Sequence, residues 1–157
     1  LREAFDWYVL IPIGDCLLWP ACTSRGGYGQ FRWNGQLLYA HIVSYELAHG
    51  PVPLGHQVDH IDCVSRACVE KTHLRAVTNK QNGENRTHLV SCNRSGFRGV
   101  SWHKHSGLWT ARVSHLGRVH AAYFTSADAA NTWAVAKRLE LFTHNEQDRK
   151  SLLAGAK

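Results

Sequence analysis

Polar and apolar positions alternate most clearly between Gly26 and Tyr39, on either side of Asn34-Gly35. Both of those residues tolerate positive φ, so the pattern predicts a two-residue hairpin. Upstream, residues 2–10 place Phe5, Tyr8 and Val9 on one side of a short helix, and Asp15-Cys16-Leu17-Leu18-Trp19 reads as a strand ended by Pro20. Downstream, a helix is expected from about His41 to His49, stopped by Gly50 and Pro51. His41 and His49 have no neighbours in sequence that reveal a role, and both read as surface or capping residues. Gly55 to His60 reads as extended chain, and Val77 to about Arg86 as a helix started by Thr78.

The pattern changes after a polar, weakly ordered segment over residues 84–94, whose 87–94 portion reads as a linker. Three strand-like runs follow at about 97–103, 108–115 and 118–124, separated by Ser106-Gly107 and Leu116-Gly117. Ser126-Ala127-Asp128 then opens an alanine-rich helix to about Leu141, with Ala130, Trp133, Ala134 and Lys137 spaced as one face. Residues 147–157 read as a frayed tail. The pattern is that of an α+β chain divided into two small domains, each needing help to stay folded at this size.

No apolar run approaches the roughly 20 residues of a membrane span, so no membrane partner is expected. The net charge of +6 is unevenly placed. Residues 1–92 carry eight basic and eight acidic side chains, whereas residues 93–157 carry ten and four. Between Arg94 and Ala127 there are five basic residues and no acidic one, in a β-rich segment with interleaved aromatics. A solvated basic face is the bland explanation; a polyanion partner accounts better for the concentration in one segment.

Five cysteines are an odd number, and two of them share a short window with His73. The stretch VDHIDCVSRACVEKTHLRAVTNKQN, from Val58 to Asn82, sets Cys63, Cys68 and His73 at equal five-residue steps. Soft and borderline donors of that kind suit Zn²⁺ in a reducing compartment better than a disulfide framework. Tetrahedral zinc wants a fourth ligand, and Cys16 is the candidate. A closed site of this type staples a domain too loop-rich to hold itself together. The oxygens of Asp59 and Asn82, in the same stretch, suit a harder divalent ion.

Asp59-His60, the Cys-x4-Cys-x4-His-Leu segment and the trailing Asn82 together resemble the HNH endonuclease superfamily. They are most similar to its zinc-stapled branch, which contains His-Cys box homing endonucleases and their phage relatives. The resemblance runs over about residues 13–86 and takes in Cys16-Leu17-Leu18-Trp19, the Gly-Tyr-Gly hairpin and Tyr39-Ala40-His41. It implies a zinc-stapled ββα-metal nuclease domain over 1–86, with His60 as general base and Asp59 and Asn82 holding a catalytic Mg²⁺ or Mn²⁺. Cys16, Cys63, Cys68 and His73 would hold a structural Zn²⁺. It further implies hydrolysis of DNA to 5′-phosphate and 3′-hydroxyl ends, in the cytoplasm of a bacterial host. Two departures stand out: Glu70-Lys71-Thr72 where the branch commonly has Asn-Pro, and Asp62 as an extra residue between His60 and Cys63.

Residues 95–146, through Ser95-Gly96-Phe97-Arg98-Gly99-Val100-Ser101-Trp102, Gly107-Leu108-Trp109-Thr110-Ala111-Arg112-Val113 and Tyr123-Phe124, resemble the APETALA/ethylene-response-factor type DNA-binding domain. Val100, Trp109, Ala111, Val113 and Val119 are expected to face the helix. Alternation leaves Arg98, Ser101, His103, Arg112, Ser114, Arg118 and His120 on the open face for double-stranded DNA. The whole reads as a sequence-directed, homing-type DNA endonuclease, monomeric or homodimeric. A DNA-binding zinc protein with a degenerate nuclease site and an RNA-directed nuclease remain as alternatives.

Overall fold

Asn34 and Gly35 adopt φ of 48° and 78°, and the strands they join, β3 (Gln30–Trp33) and β4 (Gln36–Tyr39), pair antiparallel with Trp33 opposite Gln36. The computed structural model describes residues 1–150 apart from 9, 62, 64, 86–88, 90 and 147. Val9, Asp62, Arg86, Thr87, His88 and Val90 of the expected linker region and most of the expected tail therefore lie outside the described residues. Contacts divide the chain into two units, Leu1–Lys80 and Gln81–Lys157.

The first unit holds α1 (Arg2–Asp6), the hairpin of β1 (Ile11–Ile13) with β2 (Cys16–Leu18), the β3–β4 hairpin, α2 (Ala40–His49), and the antiparallel pair β5 (His56–His60) and β6 (Leu74–Thr78). Its core is small and aromatic: Phe5, Trp19 and Phe31 pack with Ala40, Val43, Ala67 and Val69. Trp19 lies 5.3 Å from Phe5 and 5.2 Å from Phe31, ring centre to ring centre. Gly29 makes this possible, because a Cβ there would sit 2.6 Å from Cγ of Trp19. The stretch 67–69 docks beside β2 through Trp19 N–H to the Ala67 carbonyl (2.9 Å) and Val69 N–H to the Leu17 carbonyl (2.7 Å). The Ser44 hydroxyl of α2 donates to the Val69 carbonyl at 2.5 Å.

Val77 and Thr78 are strand, not the start of a helix. They pair with Gln57 and His56, and α3 runs from Asn79 to Glu84. Pairing of all five residues of β6 with β5, with Leu74 and Val77 buried, overrides the capping signal of Thr78. The Gln57 side chain donates to Oδ1 of Asn79 at 2.9 Å, fixing the first residue of α3 to β5.

In the second unit β7 (Val100–His103), β8 (Leu108–His115) and β9 (Arg118–Phe124) form one antiparallel sheet in the order β7-β8-β9. α4 (Ala127–Leu141) packs on it, its N-terminus capped by the Ser126 hydroxyl accepting from Ala129 N–H. The core comprises Val100, Ala111, Val113, Ala130 and Ala134. The buried stripe of α4 runs through Ala130, Ala134 and Arg138 rather than ending on Lys137, which reaches outward to Glu140.

Arg138 is 3% exposed and donates two hydrogen bonds to Asp148, at 2.6 and 2.8 Å, and a third to the Arg98 carbonyl. Burial opposes ionisation of Asp148, but the guanidinium outweighs it and holds the carboxyl below its usual range. Asp148 is thus part of the fold and not of a frayed tail. Glu84 is buried as well. Its Oε2 accepts from the Thr143 N–H and hydroxyl and from His144 N–H.

Candidate functional site

Cys16 is delivered by β2, Cys63 and Cys68 by the loop after β5, and His73 by a one-turn 3₁₀ helix, Lys71–His73. Their four donor atoms all lie within 4.8 Å of one another. Nδ1 of His73 is 3.6 Å from Sγ of Cys16 and 3.7 Å from Sγ of Cys68. A tetrahedron with Zn–S near 2.3 Å and Zn–N near 2.05 Å has S···N edges of about 3.6 Å, so the donor set fits a zinc ion in both type and spacing.

The thiols reinforce that fit. Cys68 is held down to about 4, chiefly by the hydrogen bond from Cys63. Cys63 is pushed far upward by that same bond, by burial and by the neighbouring thiols. Three sulfurs crowded in this way need a cation to ionise together, and a bound dication supplies it. Glu70, one of the departures from the family pattern, acts locally. Its carboxylate caps the 3₁₀ helix by accepting from the Thr72 N–H and hydroxyl, which presents His73.

β5 and β6 set the other residues. Ile61 N–H bonds the His73 carbonyl at 2.9 Å, continuing the ladder into the cysteine loop. His60 Nε2 lies 2.9 Å from the Cys68 carbonyl oxygen. A carbonyl only accepts, so Nε2 carries the hydrogen and the lone pair of this tautomer is on Nδ1. Asp59 faces Arg75 across the ladder and forms an ion pair with it at 3.2 Å, both side chains being largely buried. Arg75 has no signal in sequence, since only the β5–β6 register reveals that it meets Asp59. Asn82 is half-buried on α3.

His41 is not a surface residue. It is 6% exposed in the first turn of α2, between the Ala40 and Ser44 positions of that helix's buried face. Its ring lies 5.2 Å from His60, 5.0 Å from Tyr28 and 5.8 Å from Tyr39. Burial, and then the proximity of His60, lower its pKa to about 4, so the ring is neutral near pH 7. The sequence signal for this was the 40, 41, 43, 44 spacing, which places position 41 on the inner side of the helix.

The second candidate surface is the sheet. Cross-strand partners share a face, and the register puts Ser101, His103, Arg112 and Ser114 on the side away from α4. Arg118 and His120 share the faces of His115 and Val113, on the α4 side, so their expected placement is corrected. Val119, expected in the core, is 63% exposed, and Tyr123 joins His103 on the open face at 5.6 Å. Arg98 precedes β7, and its guanidinium donates to the carbonyls of Glu84 and Gly83, each at 2.9 Å. It is tied into the fold instead of standing on the sheet. The expectation missed these positions because the first strand begins at Val100 and not at about 97, which leaves Arg98 ahead of it, and the last strand's phase was read one residue out.

Among the described residues no helix is long and apolar enough to cross a membrane. A family model described as HNH endonuclease matches residues 38–84. Protein 3.8 of Escherichia phage T7 is 35% identical over 103 residues, covering 64% of this chain and 82% of that protein. No solved structure matches the chain. The family match takes in His41, Asp59, His60, Cys63, Cys68, His73 and Asn82, whereas Cys16 and the β7–β9 sheet lie outside it.

Proposed function

Because the chain belongs to the HNH endonuclease family, we propose that it is a metal-dependent DNA endonuclease of the homing type, cutting with residues 1–86 and addressed by residues 95–146. In this reading His60 is the general base. The observation that carries it is the Nε2–H bond to the Cys68 carbonyl, which fixes the tautomer and presents Nδ1 as the proton acceptor. Asp59 and Asn82 would be the oxygen ligands of a divalent ion, Mg²⁺ or Mn²⁺, which when bound would supply Lewis-acid stabilisation of the charge growing on the leaving oxygen. His60 takes the proton of the attacking water, and the products carry 5′-phosphate and 3′-hydroxyl ends. The Cys16, Cys63, Cys68 and His73 zinc holds the loop whose backbone orients His60. Ser101, His103, Arg112 and Ser114, together with Tyr123, form the DNA-facing surface, in the manner of an APETALA/ethylene-response-factor type domain.

The test is cleavage of supercoiled plasmid by the zinc-loaded chain with Mg²⁺ or EDTA. Nicked or linear product is expected only with Mg²⁺, and His60→Ala should abolish it while DNA affinity is retained; cleavage by His60→Ala at the wild-type rate sinks the base assignment. DNA affinity should fall steeply with salt, by about one unit of log slope per phosphate contacted.

The Asp59–Arg75 ion pair favours a second reading, in which Asp59 is structural and the chain is a DNA-binding zinc protein. Titrating Mn²⁺ into wild-type and Asp59→Asn protein separates the two. A metal-ligand role requires the affinity to drop in the variant.

A further inference from the structure

We propose that Val119 and Ala121 of β9 form a thymine-reading strip, which contacts the 5-methyl groups that DNA displays in its major groove. The inference rests on the reading of the β7–β9 sheet as a DNA-facing surface and adds to it the base that is read. Cross-strand pairing sets Val119 opposite Ser114 and Ala121 opposite Arg112, on the side away from α4. All four residues are exposed, Val119 to 63%. In the next row of the same face Thr110, paired with Ser101 and Tyr123, is 2% exposed. The sheet is therefore shielded at that row and lies bare toward the Leu116–Gly117 turn.

The chemistry of this bare end decides what can cover it. An apolar column, Val119 and Ala121, runs beside a polar one, Ser114 and Arg112. Arg98 and Arg138 are engaged by carbonyls and by Asp148, whereas the Arg112 guanidinium makes no hydrogen bond or ion pair among the described residues. Between Arg94 and Ala127 there is no acidic side chain, so a second copy of this face would set like charge against like. A polyanion is the complementary partner.

Exposed apolar positions on a basic face call for a polyanion with apolar groups of its own. At the base edges of a duplex that group is the thymine methyl, which lies in the major groove beside the acceptors a guanidinium reads. Small apolar side chains meet such methyls, and a sheet is a shape the major groove admits. Uracil lacks the methyl, and the major groove of A-form RNA is too deep and narrow for side chains to read. The strip therefore selects DNA over RNA as well as thymine over the other bases.

The experiment selects duplexes from a random-sequence pool with the full zinc-loaded chain, in the absence of Mg²⁺. Affinity for the selected duplex is then compared with that for the same duplex made with deoxyuridine in place of thymidine, which removes the methyl and keeps every hydrogen bond. Wild type is expected to bind the deoxyuridine duplex about fourfold more weakly for each contacted methyl, the loss that one buried methyl carries. In a chain with both Val119→Ser and Ala121→Ser, the ratio of the two affinities should fall to near one. The ratio is taken within each protein, so a partly unfolded variant still reports it, and the wild-type arm stands without any variant. Equal binding of the two duplexes by wild type overturns the proposal and leaves the DNA reading standing. A double variant that discriminates as wild type does also overturns it, because the methyls are then read elsewhere. So does a chain that sediments as a dimer and is dissociated by the double substitution, since a second copy would then cover the face. A pool from which no duplex is enriched sinks the DNA reading itself, and the strip with it.

Discussion

The two units reach stability by opposite means. The first is assembled from two-stranded pieces and short helices around a few aromatic rings, with the loop after β5 gathered at a cluster of sulfur and imidazole. The second has an eight-residue central strand paired on both sides, a fifteen-residue helix, and a buried arginine–aspartate pair tying the chain after the helix back to it. A two-stranded hairpin is marginal in water, whereas a three-stranded sheet packed on a helix is self-sufficient. The first unit is therefore the one expected to need an ion at its Cys/His cluster, whereas the second has its own core and the Arg138–Asp148 pair.

The largest effect should come from removing that metal. Structural zinc sites contribute on the order of 10 kcal/mol to folding. Cys68→Ser, or a strong chelator, should unfold the first unit and leave the second folded, so that the Trp19 environment collapses in near-ultraviolet circular dichroism while part of the far-ultraviolet signal persists. A Cys68→Ser chain that melts like wild type would erase the contrast, as would metal analysis finding no zinc in pure protein.

The counterpart in the second unit is Arg138→Ala, which strands Asp148 and the Arg98 carbonyl. Breaking a largely buried pair by removing one partner costs about 3–5 kcal/mol. It should lower the unfolding transition of the second unit and leave zinc content untouched. A shift confined to the first unit's transition would reverse the assignment.

A further separation comes from pH. His41 has a folded pKa near 4 against about 6.5 when unfolded, so the unfolded chain binds the extra proton between those values. Stability supplied by the neutral ring is complete above pH 6.5 and is lost as pH falls towards 4, by roughly 3 kcal/mol in all. Since thiolate protonation also destabilises the first unit in acid, the informative quantity is the difference between wild type and His41→Phe. That difference should widen in favour of the variant on acidification; parallel curves would mean that His41 titrates normally. The smallest effect is Ser126→Ala, a lost helix cap costing about 1 kcal/mol, which should appear only in the second unit's transition.

Periodicity and turn chemistry made the second unit legible almost strand by strand, because its elements are long enough for alternation to be counted. Its faces were read less well. Val119 and His120 exchange sides because the two-residue turn 116–117 sets Arg118 opposite His115 and Val119 opposite Ser114, and a one-residue shift of phase inverts every side chain. In the first unit ligand chemistry was the informative signal: the spacing of Cys63, Cys68 and His73 and the lack of a fourth donor led to Cys16, 47 positions before Cys63. Contacts made through register or through a helix's inner face left little local trace. Arg75 meets Asp59 only by strand pairing, and His41 meets His60 only through tertiary packing.

The acceptor that orients His60 is a main-chain oxygen, and main-chain oxygens are present whatever amino acid occupies a position. On the reading of His60 as general base, that base is aligned by the path of the loop and not by the identity of residue 68. Metal dependence of folding and competence to cut are then separable properties. A redesigned first unit that followed the same loop path with an enlarged apolar core in place of the thiols would keep His60 aligned without drawing on zinc.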